Sequence, residues 1–121
     1  MITLARRAAT WWRDNCLISH FSSKLKLTDD ELFTKALFCL DISSWQLLIF
    51  ENELTLLISQ LLEKNGTVEL NCNYFPCLEL ERCSNIANIE PSCFKWFHYM
   101  KIVDNVIYVA TDPEKNFTVL E

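Results

Sequence analysis

Residues 44–66, SWQLLIFENELTLLISQLLEKNG, constrain this chain more than any other stretch. Leu47, Phe50, Leu54, Leu57 and Leu61 recur at spacings of three and four, which puts five large apolar side chains on one side of a helix. Ile58 and Leu62 widen that stripe, while Asn52, Ser59 and Glu63 fall opposite. Ser44 has the side chain of an N-cap, and Asn65-Gly66 supplies the left-handed residue on which helices end. Trp45–Phe50 alone is apolar all round and could begin as a strand; the periodicity favours continuous helix. A stripe this wide must be covered by the rest of the chain. It predicts a folded core and says nothing of chemistry.

The remaining segments supply the cover. The chain has 121 residues, enough for one core. Residues 3–19 are expected to form a helix with Ala5, Ala8, Ala9, Trp12 and Cys16 on one side and Trp11 about 100° away round the axis. Thr28-Asp29-Asp30-Glu31 is a capping-box sequence opening a helix at about 29–40, although Phe38–Ile42 also reads as a short buried strand. After Gly66 the period becomes two: Val68, Leu70 and Cys72 alternate with Glu69, Asn71 and Asn73 as in a half-buried strand, closed by Pro76. Cys77–Ile89 fits either an irregular helix or a loop. Cys93–Val103 reads as a second strand, Asp104-Asn105 as a tight turn and Val106–Thr111 as a third strand. Thr111-Asp112-Pro113-Glu114 reads as a turn before a peripheral tail. The expectation is a single α+β domain over residues 1–121, with N-terminal helices packed on a small antiparallel sheet from the C-terminal half. Its parts are a basic N-terminal helix and connection (1–27), a helical core (28–66) and a strand-rich half (67–121).

Composition narrows the function classes. One glycine in the whole chain removes the P-loop, the dinucleotide fingerprint and the nucleophile elbow together. Net charge is −5, divided as +4 over residues 1–27 and −9 over the remainder. An acidic body argues against a nucleic-acid partner, because each phosphate contact needs a cation. The basic start can serve an acidic partner or the chain's own acidic body. No signal peptide is expected from the Arg-containing start, whose composition also suits a mitochondrial presequence. Glu51 and Glu53 interrupt the longest apolar run, so no membrane partner is expected. Six cysteines without a secretory signal read as reduced thiols, which makes the Asn65 and Asn116 sequons silent.

Candidate chemistry is sparse. Cys72, Cys77, Cys83 and Cys93, with His98 following, are spaced more loosely than structural zinc ligands prefer; a small zinc-stabilised binding module is the second reading. His20 and His98 lie in no catalytic phrase, and Glu51/Glu53 and Glu79/Glu81 read as solvated pairs. The cluster Trp96, Phe97 and Tyr99 reads as alternating strand faces packed into the core, against a base-stacking platform. No enzyme activity, cofactor or metal is expected. The residues expected to touch a partner are Arg6, Arg7, Trp11 and Arg13, a basic aromatic edge on the first helix.

Two sets of short segments carry a resemblance. Trp12-Arg13-Asp14-Asn15, Leu40-Asp41, the apolar helix and Thr67-Val68-Glu69-Leu70 form the first. Leu27-Thr28-Asp29-Asp30-Glu31-Leu32, Leu70-Asn71-Cys72, Leu80-Glu81-Arg82-Cys83, Trp96-Phe97 and Val103-Asp104 form the second. Both resemble the small regulatory proteins of the adenovirus early region four, the first a member that forms nuclear tracks, the second a larger member that recruits a cullin ubiquitin ligase. The chain departs from the larger member in lacking its dense cysteine and histidine set. It also lacks an elongin-binding box, since Leu78 and Cys83 stand one residue too far apart. The resemblance implies a non-enzymatic early viral accessory protein. It would act in the host nucleus or cytoplasm by binding host or viral proteins, with homo-oligomerisation left open.

Overall fold

A computed structural model describes residues 2–19, 29–30 and 42–121. Helix α1 spans Ile2–Asn15 and helix α2 Ser44–Asn65. Strand β1 (Val68–Cys72) and helix α3 (Leu78–Ile86) follow. A 3₁₀ turn at Pro91–Cys93 leads to β2 (His98–Val103), β3 (Val106–Ala110) and the short β4 (Thr118–Val119). The sheet is antiparallel throughout, in the order β1-β2-β3-β4. The fold is α+β, as the change of period at Gly66 predicts.

Local chemistry accounts for the bounds of α2. Its N-cap is Ser43, one residue before the expected Ser44: the Ser43 hydroxyl accepts from the Gln46 amide, and the Gln46 side chain accepts in return from the Ser43 amide. Gln46 also donates to the carbonyls of Ala87 and Asn88, tying the start of α2 to the end of α3. Gly66 ends the helix at φ 76°, its N–H bonded to the Leu62 carbonyl. The buried stripe is Leu47, Phe50, Leu54, Ile58 and Leu62. Leu57 and Leu61 are only partly buried, so the helix is rotated slightly from the expected seam.

Helix α1 lies along α2. Ala5, Ala8, Ala9 and Trp12 are fully buried, and three methyl-sized side chains let the two backbones approach closely. After α1, the chain runs beside the segment before β2: the Ile18 amide donates to the Cys93 carbonyl and the Lys95 amide to the Cys16 carbonyl. The inner face of the sheet presents Val68, Leu70 and Cys72 from β1, Met100 and Ile102 from β2, and Ile107 and Val109 from β3. These side chains join the helical residues in one hydrophobic cluster.

The remaining expectations meet different outcomes. Cys93–Val103 is not one strand, because Pro91 sets a 3₁₀ turn and Phe97 sits at φ 60°, so pleating begins only at His98. Cys77–Ile89 resolves into α3 with Cys77 as its N-cap. The last residues are peripheral but are not an unpaired tail: Thr118 and Val119 pair with β3 as an exposed edge strand, and Leu120 packs against the core. The capping-box helix lies outside the described residues apart from Asp29 and Asp30, which are helical and exposed. The turn at Asp104-Asn105 forms as expected, both residues at positive φ.

Phe50→Ala, emptying a fully buried site, should lower unfolding free energy by about 3–5 kcal/mol. Gly66→Ala should lower it by about 1 kcal/mol through its left-handed backbone alone, since nothing crowds an added methyl. Urea midpoints measure both.

Candidate protein-interaction surface

The flank of α1 that faces α2 is organised by one carboxylate. Glu51 is only 6 % exposed, and an unpaired charge there would be costly. The Thr10 hydroxyl donates to its Oε2 at 2.5 Å, while Arg13 Nη1 and Arg6 Nη1 approach its Oε1 at 3.1 and 3.6 Å. Arg6 also donates to Asn52 Oδ1 at 2.7 Å, and Arg13 Nε to Asp14 Oδ1 at 2.8 Å. The hydrogen bond to Asp14 raises the Arg13 pKa further, burial opposes it and Glu51 assists, so its charge is permanent. Arg6 and Arg13 thus serve the chain's own acidic body while keeping part of each side chain in solvent.

Arg7 and Trp11 point elsewhere. Arg7 Nη2 donates to the Leu120 carbonyl at 2.8 Å. Trp11, 8 % exposed, stacks edge-on against Trp12 with ring centres 5.1 Å apart, and tilts over His98 at 5.7 Å. It is a floor and not a protruding anchor. Above it lies an open hollow of about 290 Å³ lined by Arg7, Thr10, Trp11, Asp14, Leu120 and Glu121, among others. The structure therefore brings two of the four expected contact residues to one hollow and turns the other two toward Glu51.

The sulfur and imidazole groups take packing positions. Cys72 lies on the inner face of β1, Cys72, Cys77 and Cys83 are free thiols, and the buried Cys16 thiol donates to the Lys95 carbonyl. Cys93 is disulfide-bonded, which corrects the expectation of six reduced thiols. Among the described residues, no three His, Cys, Asp or Glu side chains are placed to hold a metal ion. Burial raises the Cys77 thiol, and burial together with Glu53 pushes Cys83 up to about 12. His98 is buried with Nδ1 2.9 Å from the Trp96 carbonyl; His20 lies outside the described residues. Glu51 and Glu53 differ in environment, the first buried and ion-paired, while Glu79 and Glu81 occupy the first turn of α3, where the helix dipole favours them.

A second surface escaped the sequence reading. Tyr74, Phe75 and Leu78 are 67 %, 56 % and 79 % exposed. Tyr74 packs against both Trp96 and Phe97, with ring centres 5.1 Å apart in each pair. The local sequence Asn73-Tyr74-Phe75-Pro76 held the signal, because aromatics in a segment closed by Asn and Pro have no strand face to turn inward.

No protein-family model matches the chain, and no curated protein or solved structure is detectably similar to it. Among the described residues no helix is long and apolar enough to cross a membrane.

Glu51→Gln should destabilise the protein by about 1–3 kcal/mol, because it leaves the Thr10 and arginine donors against a neutral amide. Stability should also fall as pH rises from about 9 toward 12. The folded state retains a proton on Cys83 that the unfolded chain gives up, so alkali favours unfolding. Cys83→Ala should flatten that decline, as read by denaturant titration at stepped pH.

Proposed function

We propose that this chain is a non-enzymatic accessory protein of the early viral regulatory class, binding host or viral proteins in the host nucleus or cytoplasm. The support is the segmental resemblance to the adenovirus early-region-four proteins together with the α1 flank. The single observation that carries the reading is the hollow floored by Trp11 and rimmed by Arg7, which joins an aromatic surface to a cation. A partner reaching this hollow meets the Trp11 indole and the Arg7 guanidinium beside the carboxylates of Asp14 and Glu121. Aromatic and arginine side chains dominate the energetics of protein interfaces. Acidic segments of a partner suit the arginines, and neither nucleic acid nor membrane is required.

Affinity purification of the full chain from host cells, with partners identified by mass spectrometry, tests this reading. Arg7→Glu is the informative variant because, among the described residues, Arg7 bonds the Leu120 carbonyl, whereas reversal of Arg6 or Arg13 also disturbs Glu51. Loss of a partner by Arg7→Glu with unchanged circular dichroism is the expected result. Retention of every partner by Arg7→Glu and by the Arg6, Arg7, Arg13 triple reversal would remove the α1 flank from the binding surface.

A further inference from the structure

The one glycine of the chain follows an asparagine. Asn65 is the last residue of α2 and is exposed, and Gly66 turns the chain toward β1. The carboxamide carbon of an asparagine is a weak electrophile, and the backbone nitrogen of the next residue is the nucleophile nearest to it. A side chain on that next residue crowds the five-membered ring that has to form. Gly66 carries none, and the space where a Cβ would stand is open. The other asparagines lack this arrangement. Asn105 lies in an exposed turn but precedes the β-branched Val106, and Asn71 and Asn73 precede Cys72 and Tyr74. Asn116 precedes Phe117, and its side-chain amide donates to Asp112 Oδ2 at 3.3 Å.

The fold gates the same site. Asn65 is helical, and the Gly66 N–H donates to the Leu62 carbonyl at 2.9 Å, so the nucleophilic nitrogen is engaged in the helix cap. Attack requires the last turn of α2 to open, and helix ends are where opening is easiest. We propose that Asn65 is a site of spontaneous deamidation, gated by fraying of the last turn of α2. In the frayed state the Gly66 nitrogen gives up its proton to base and bonds to Asn65 Cγ. The Cγ–Nδ2 bond breaks, and Nδ2 leaves as ammonia. Water then opens the cyclic imide at either carbonyl, giving aspartate or isoaspartate. No oxidant or reductant enters, and the chain becomes one charge more negative than its present −5.

Both products loosen the junction between α2 and β1. A carboxylate at position 65 stands at the negative end of the helix dipole, two residues after Glu63. Isoaspartate also adds a methylene to the main chain just before Gly66, which displaces the cap nitrogen from the Leu62 carbonyl. Val68, buried and paired with Ile102, begins β1 only two residues after Gly66, so the displacement reaches the register of the sheet against the helix. The modification acts on the element around which the core is built, and it is independent of partner binding at the Trp11 hollow.

The test is incubation of the full chain in mildly alkaline buffer, followed by digestion in acid and mass-spectrometric peptide mapping. Residue 65 should gain the mass increment of a hydroxyl replacing an amino group before any other asparagine does, and faster as pH rises. The urea-unfolded chain should react about tenfold faster or more, because its nitrogen needs no opening step. Lys64→Gly, an exposed change that weakens the last turn, should speed the folded chain about fivefold with unchanged circular dichroism. Asn65→Gln should abolish the product. The aged chain should unfold at a lower urea concentration than fresh Asn65→Asp, which carries the charge without the extra methylene. Faster change at another asparagine, equal rates in the folded and unfolded chains, or no effect of Lys64→Gly would overturn the proposal. So would an intact Asn65 after the unfolded chain has fully reacted, or an aged chain as stable as the fresh one.

Discussion

Leu47, Phe50, Leu54, Ile58 and Leu62 lie along one side of α2, and each loses about 1.5–3 kcal/mol if left in water. No neighbour in sequence can cover them, because a helix shows its own side chains outward. Cover comes from α1 on one flank, from α3 on another and from the inner face of the sheet. The alanines of α1 follow from this demand. Larger residues at positions 5, 8 and 9 would hold α1 away from α2, and the fully buried Trp12 would lose its packing.

Apolar burial alone does not fix how far α1 slides along α2, since small side chains interdigitate in several registers. Glu51 supplies the discrimination. It is buried within the helix pair, and the hydroxyl of Thr10 with the guanidinium groups of Arg13 and Arg6 compensates it in this register. A shift of one turn would strand the carboxylate, and that penalty exceeds what most surface ion pairs contribute. The opposite net charges of the two parts of the chain therefore have a structural use. Part of the basic start is spent inside the molecule on Glu51, while Arg7 holds the Leu120 carbonyl.

What the sequence revealed was whatever local periodicity and caps control. The 3.6 repeat of α2, the end at Gly66, the alternation of β1 and the Asp104-Asn105 turn each depend on a few adjacent residues. The errors arose where distant contacts decide. Ser43 caps in place of Ser44 because Gln46 answers it reciprocally and also reaches the end of α3. Trp96 and Phe97 sit outside the strand because Asn73, more than twenty residues earlier, holds Phe97 in the left-handed region. Thr118 and Val119 become a strand only because β3 offers an open edge. Of the α1 flank, the basic and aromatic residue types were legible in advance. The division of labour between Arg7 and the pair Arg6 and Arg13 was not, since it depends on where Glu51 arrives.

His98 joins the two surfaces. Its ring packs against the floor of the α1 hollow at Trp11, and its Nδ1 meets the carbonyl of Trp96, whose indole packs edge-on against Tyr74. Because it is buried and in contact on both sides, it acts as a spacer that fixes one face relative to the other.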